Sequence, residues 1–163
     1  MAYVATSFSF GEQPSAAKWN QFGTNDAYFD SLIGSGTAWT SWTPTFVNFT
    51  KGSATITAKY QQFGKTVIFR LEVTLSTSTM GTSPTFTLPV TATTYNTNTL
   101  LNSITILDSG TTTFFGYWGI ASSTTGKFLY WDASVAAQSV TVNTPMVWAN
   151  NDGFFINGIY EAA

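Results

Sequence analysis

The sequence predicts a mainly β protein, in which an antiparallel, jelly-roll-like β-sandwich head of about nine strands follows one short N-terminal α-helix. Beyond residue 36, apolar and polar side chains alternate over long stretches, which is the period of strands with one buried face. Turn residues such as Asp108-Ser109-Gly110 separate these stretches at intervals of roughly 8–12 residues. Threonine, whose branched side chain favours strands, is the commonest residue.

The segment from Pro14 to Gly34 is the exception, because its apolar residues recur with a helical period. Ser15 is the expected N-cap, and Gly34 is the expected C-terminal stop. One helical stripe holds Trp19, Phe22, Asp26, Phe29, Leu32 and Ile33, with Asp26 as its polar interruption. A helix of about 18 residues with weak helix formers is marginal alone in water. The stripe is therefore expected to pack on its own β-domain, on copies of itself or in a socket on a larger assembly.

The clearest strand pattern is a hairpin whose two strands are joined by Phe63-Gly64-Lys65. Alternation places Ala54, Ile56, Ala58 and Tyr60 on one face of the first strand, and it predicts that Val67, Phe69, Leu71, Val73 and Leu75 point inward from the second. Arg70 and Glu72 point the other way, and they are expected to form a surface ion pair of little energetic value.

The charge and composition exclude several classes of function. Charged residues make up only 9% of the chain, the formal net charge is −2, and the basic residues form no run, which argues against nucleic-acid binding. Cysteine and histidine are absent, so disulfides, thiolate metal sites and a histidine base are excluded, and no cofactor or metal is expected. Neither a signal peptide nor a stretch of about 20 apolar residues is visible. Synthesis in the cytoplasm without membrane insertion is expected.

Aromatic residues in the second half of the chain are the candidate ligand-binding residues. They are Tyr117, Trp118, Tyr130, Trp131 and Trp148. Aromatic rings bind sugars by stacking on their C–H faces. The alternative is that these rings fill the core or an interface, and since neighbours in a strand point to opposite faces, only one of each adjacent pair can be buried.

Three aspartates could in principle serve as a glycosidase pair or as calcium ligands. They are Asp108, Asp132 and Asp152. Asp108 and Asp152 lie in glycine-containing turns and Asp132 ends a strand, so all three are expected to be turn formers. The protein is therefore not expected to be an enzyme.

The stretch from Trp39 to Ala92 resembles a module of minor tail proteins and tail fibres of long-tailed bacteriophages. The similarity begins with W-x-x-W-T-P-T at Trp39–Thr45 and continues with G-x-A-x-x-x-A-x-Y-x-x-x-G-K-x-V at Gly52–Val67. It ends with M-G-T-x-P-x-F-T-L-P-V at Met80–Val90. The segment from Pro14 to Asn25 also looks like the helix that precedes the head of such fibres. These motifs are structural, and the chain beyond Tyr95 shows no resemblance.

The resemblance implies a homotrimeric virion protein with two parts. Residues 1–36 would attach the protein to other virion proteins and align the trimer, with the helical stripe packed on two copies and Asp26 or Asn25 forming a hydrated ring. Residues 37–163 would form the β-sandwich head, which binds a polysaccharide on the bacterial surface. The alternatives are a capsid decoration protein or head fibre without an essential ligand and, more distantly, a polysaccharide hydrolase.

Overall fold

The computed structural model describes residues 4–33, 38–95, 100–132 and 137–163. Within these ranges, one α-helix, α1 (Ala16–Ile33), precedes ten β-strands. The strands are β1 (Thr40–Ser41), β2 (Phe46–Thr50), β3 (Thr55–Phe63), β4 (Thr66–Thr74), β5 (Thr79–Thr87), β6 (Leu100–Asp108), β7 (Thr112–Ser122), β8 (Thr125–Trp131), β9 (Ala137–Ser139) and β10 (Gly153–Glu161). The prediction of a mainly β protein with one N-terminal helix is confirmed.

The chain divides into two compact units, Met1–Trp39 and Thr40–Ala163, which we call the N-terminal unit and the head. The predicted N-cap of α1 is confirmed, because Ser15 Oγ accepts a hydrogen bond from the backbone N–H of Lys18 at 3.3 Å. The expected C-terminal stop at Gly34 and the side chains of Leu32 and Ile33 lie outside the described part of the structure.

The described strands of the head form one curled antiparallel sheet in the order β1-β3-β4-β10-β6-β7-β8-β5-β2, with β9 paired to β8. The strands at its two ends, β1 and β2, are consecutive in the chain, and Trp42 lies between them. Its backbone N–H donates to Ala58 O of β3 at 3.1 Å, and its Nε1 donates to Thr87 O of β5 at 3.3 Å. This residue therefore ties the two ends of the sheet together, and the head is sandwich-like, as predicted.

The predicted hairpin is confirmed as β3 and β4, whose register pairs Ala58 with Leu71. Gly64 in the turn has a φ of 57°, a conformation that favours glycine. The side chains expected to be buried on the second strand and directly after it are buried, namely Val67, Phe69, Leu71, Val73 and Leu75. On the opposite face, Arg70 Nε lies 3.3 Å from Glu72 Oε1 in an exposed ion pair.

Several aromatic rings pack against each other in the core of the head, among a larger number of aliphatic side chains. The Trp118 ring lies 4.8 Å from the Phe69 ring and 6.3 Å from the Tyr160 ring, measured between centroids. Phe128 and Phe154 stack with their centroids 4.7 Å apart. Because each buried aromatic ring removes a large apolar area from water, these contacts contribute substantially to the stability of the head.

Tyr160 joins the last strand to the segment that follows β5. Its hydroxyl donates to Val90 O at 2.7 Å and accepts from the Val90 N–H at 3.1 Å. Burial disfavours the phenolate and raises the pKa of Tyr160 to about 12, although the hydrogen bond to Val90 acts in the opposite direction.

Replacing this hydroxyl should lower stability and change how stability depends on pH. We expect Tyr160→Phe to lower the free energy of unfolding by about 1–3 kcal/mol, because both backbone groups of Val90 lose their partner. The unfolded tyrosine ionises near pH 10, so the stabilisation by Tyr160 is present below about pH 10 and is lost as the pH rises towards 12. Urea denaturation between pH 8 and about 11.5 measures both effects. If the free energy of unfolding changed equally with pH above pH 10 in wild type and variant, the expected pH dependence would be contradicted.

Candidate functional site

An open groove of about 230 Å³ lies on the outer face of the head, across β6, β7 and β8. It is lined by Ser103, Phe115, Gly116, Tyr117 and Trp131. The alternation of β7 creates its aromatic wall, because Trp118 points into the core and therefore Phe115 and Tyr117 point outward. The neighbouring strands supply the other lining residues. Ser103 of β6 pairs with Tyr117, and Trp131 of β8 lies diagonally opposite Tyr117.

The aromatic rings of the groove contact each other and remain accessible. The Tyr117 and Trp131 rings meet edge to face, with centroids 5.2 Å apart and an interplanar angle of 65°. Phe115 is 64% exposed and Trp131 is 40% exposed. Ser103 and Tyr117 each carry a hydroxyl group, and the five lining residues carry no formal charge. Such a surface can stack on an apolar ligand face and hydrogen-bond to hydroxyl groups.

Gly116 permits the close approach of β7 and β8 under the groove. A Cβ atom at this position would lie 1.9 Å from Leu129 O and 2.8 Å from the Cα of Tyr130. Both atoms belong to the backbone of β8, so they cannot move aside as a flexible side chain could. The absence of a side chain at Gly116 therefore brings Tyr117 and Trp131 within ring contact.

The structure brings together two of the five predicted glycan-binding residues, Tyr117 and Trp131. Trp118 has to be removed from the set, because it is 0% exposed inside the core and cannot contact an external ligand. Tyr130 and Trp148 are half-buried and pack against the core. Trp148 Nε1 also donates to Thr141 O at 3.0 Å, so its polar atom is engaged within the chain.

Three residues of the groove are not among those predicted from the sequence, Ser103, Phe115 and Gly116. The two-residue period through Tyr117 could have identified Phe115, because both side chains lie on the same face of one strand. Ser103 had no local signal, since its place beside Tyr117 depends on the pairing of β6 with β7.

Asp152 is the carboxylate of the head that the structure places inside the fold. Asp152 is buried, and it accepts hydrogen bonds from the Ser109 N–H at 2.9 Å and the Ala149 N–H at 2.6 Å. It thus joins two turns, which is the structural role expected for it. Among the residues that the structure describes, no group of three or more Asp or Glu side chains could hold a metal ion.

The N-terminal unit carries a second groove, of about 470 Å³, on one face of α1. It is lined by Phe22, Gly23, Asn25, Asp26 and Phe29. Phe29 is 48% exposed, and Trp19, one turn before Phe22, is 60% exposed. Asp26 is exposed between the two phenylalanines. The described side chains of the predicted attachment stripe therefore form an accessible, mostly aromatic surface.

The segment before α1 packs along the helix by means of Asn25 and Phe22. The Asn25 amide donates to Val4 O at 2.9 Å and accepts from the Val4 N–H at 3.1 Å, and the Phe8 and Phe22 rings stack with centroids 5.4 Å apart. Since Asn25 is buried and its amide is engaged within its own chain, the expectation that it could form a hydrated ring between copies is wrong.

Lys18 of α1 also contacts the segment that precedes the helix. Its ammonium group forms an ion pair with Glu12, donates to Ser7 O at 2.8 Å and lies 4.8 Å from the centre of the Phe8 ring. The hydrogen bond from Lys18, more than any other contact, lowers the pKa of the Glu12 carboxyl.

Within the described residues, no helix has the length and apolarity that crossing a membrane requires. Comparison of the chain with protein-family models, with curated proteins and with solved structures found no match.

Proposed function

We propose that this chain is a structural virion protein, a phage tail fibre or receptor-binding protein, which attaches as a homotrimer to a glycan on the bacterial surface. The observation that carries this proposal is the outer groove of the head, which is lined by the rings of Phe115, Tyr117 and Trp131 together with Ser103. The resemblance of the Trp39–Ala92 stretch to tail modules supports the virion assignment, and the homotrimer rests on that resemblance.

A glycan is the ligand class that suits this groove best. The C–H face of a sugar ring is apolar and stacks on aromatic rings, while its hydroxyls need hydrogen-bonding partners such as Ser103 and Tyr117. The groove is open and shallow, and it contains no charged side chain to attract a phosphate or carboxylate. It suits the exposed sugar units of a surface polymer, which a shallow groove can contact without enclosing them.

The decisive experiment measures binding of the full chain to bacterial cells and to arrays of bacterial polysaccharides. We expect Trp131→Ala to weaken binding at least about tenfold, or about 1.4 kcal/mol, because it removes one wall of the groove. Trp39→Ala is the matched control, since Trp39 has nearly the same exposure, 43%, but lies in the N-terminal unit. Equal loss in both variants would contradict the assignment of the groove.

Two further outcomes would replace the proposal by one of its alternatives. Absence of binding by the wild-type chain to any cell or polysaccharide would favour a decoration protein or head fibre, and cleavage of a polysaccharide would favour a hydrolase. Light scattering tests the trimer, for which the expected mass is three times the 17.7 kDa of one chain.

A further inference from the structure

The charge of this protein is distributed unequally between its two units. The N-terminal unit, Met1–Trp39, contains one basic residue, Lys18, and three acidic residues, Glu12, Asp26 and Asp30. The head contains five basic and five acidic residues. The whole formal net charge of −2 therefore belongs to the unit that carries the α1 groove.

The α1 groove combines apolar walls with one carboxylate. Phe22, Asp26 and Phe29 follow one another at spacings of four and three residues, so they lie on the same face of α1. Gly23 keeps the groove open, because nothing lies within 4 Å of the position that its Cβ would occupy. Asp26 makes no hydrogen bond or ion pair with any part of the chain that the structure describes.

We propose that this groove binds a basic segment of a different protein, with a lysine or arginine head group at Asp26 and its alkyl stem against Phe22 and Phe29. Long basic side chains pack their stems on apolar surface while the charged group reaches an anion, and aromatic rings attract a nearby cation. The net negative charge of the N-terminal unit attracts such a segment. The inference rests on the proposed function only in naming this partner as another virion protein.

A second copy of this chain is a poor occupant of the same groove. Packing of α1 on its own copies about a symmetry axis brings each Asp26 close to the Asp26 of the other copies, because the residue lies in the middle of the face. The one cation of the unit, Lys18, is held by Glu12, Ser7 O and the Phe8 ring and is not available to neutralise these carboxylates. The partner must therefore supply the cation.

A peptide selection tests this inference with the full chain immobilised through its C-terminus. Random dodecapeptides are the probe, and we expect the enriched peptides to carry lysine or arginine beside apolar residues. Asp26→Asn should weaken their binding at least about tenfold. Glu161→Gln is the control, since it removes one exposed carboxylate from the head and should leave binding unchanged. Enriched peptides without a basic residue, or equal binding by wild type and Asp26→Asn, would overturn the proposal.

Two further measurements separate this inference from self-association and from the proposed function. The mass of Phe29→Asp, which disrupts the apolar face, should equal that of the wild type in solution, and a fall in mass would identify the groove as an interface between copies. Asp26→Asn should also retain binding to bacterial cells through the head. If wild-type chain binds basic peptides but no cell or glycan, the receptor-binding proposal fails and this inference stands.

Discussion

Trp118→Ala should lower the free energy of unfolding by about 3–5 kcal/mol, a large share of the about 5–15 kcal/mol that stabilises a typical domain. Trp118 is 0% exposed, and its ring lies within 6.3 Å of the Phe69, Phe86 and Tyr160 rings, measured between centroids. Truncation leaves a cavity that the surrounding strands cannot fill without breaking their pairing. Urea denaturation followed by far-ultraviolet circular dichroism measures this loss.

The adjacent residue provides the control for this variant. Tyr117→Ala should cost no more than about 1 kcal/mol of stability, because the side chain lies on the outer face and loses mainly its contact with Trp131. It should nevertheless weaken glycan binding, since the ring lines the groove. If both substitutions cost the same stability, the assignment of the inner and outer faces of β7 is wrong.

Gly116→Ala should affect both the stability of the head and the groove. The new Cβ would lie 1.9 Å from Leu129 O, so β7 and β8 must separate locally. We expect a loss of about 2–3 kcal/mol in the free energy of unfolding, in the upper range for overpacking. Separation of these strands also moves Tyr117 away from Trp131, so the proposed binding to a glycan should weaken at least about tenfold, which titration on cells would measure.

A second glycine shows what the same substitution does where space is available. A Cβ at Gly23 of α1 would have nothing within 4 Å, so Gly23→Ala should not lower stability and should favour the helix by about 0.5–1 kcal/mol. If Gly116→Ala were tolerated as well as Gly23→Ala, β7 and β8 could not be as close as the structure shows.

Much of the fold was predictable because its signals are local. The hairpin of β3 and β4 is encoded by alternation on both sides of a short turn, and both the buried side chains of β4 and the exposed Arg70–Glu72 pair follow from that period. The N-terminus of α1 was equally predictable, because an N-cap is a local feature: Ser15 lies three residues before Lys18, whose backbone N–H donates to the Ser15 hydroxyl.

The candidate site was predictable only in part. Composition identified the aromatic pairs of β7 and β8, and alternation required that one member of each adjacent pair face outward. It could not say that Trp118 is the buried member, because both residues of its pair are large aromatic side chains. Ser103 lines the groove because β6 pairs with β7 and places it opposite Tyr117. No local sequence pattern around Ser103 or Tyr117 predicts this pairing.

The sequence by itself determined the class of the fold, the strand periods, the start of the helix and the low charge, since each depends on residues close together in the chain. The tertiary structure decided which face of β7 is buried, that Tyr117 contacts Trp131, and that Asn25 and Lys18 are engaged within their own chain while Asp26 is exposed. These are contacts between residues distant in sequence or on different strands. Their free energies depend on register and packing, which no local pattern specifies.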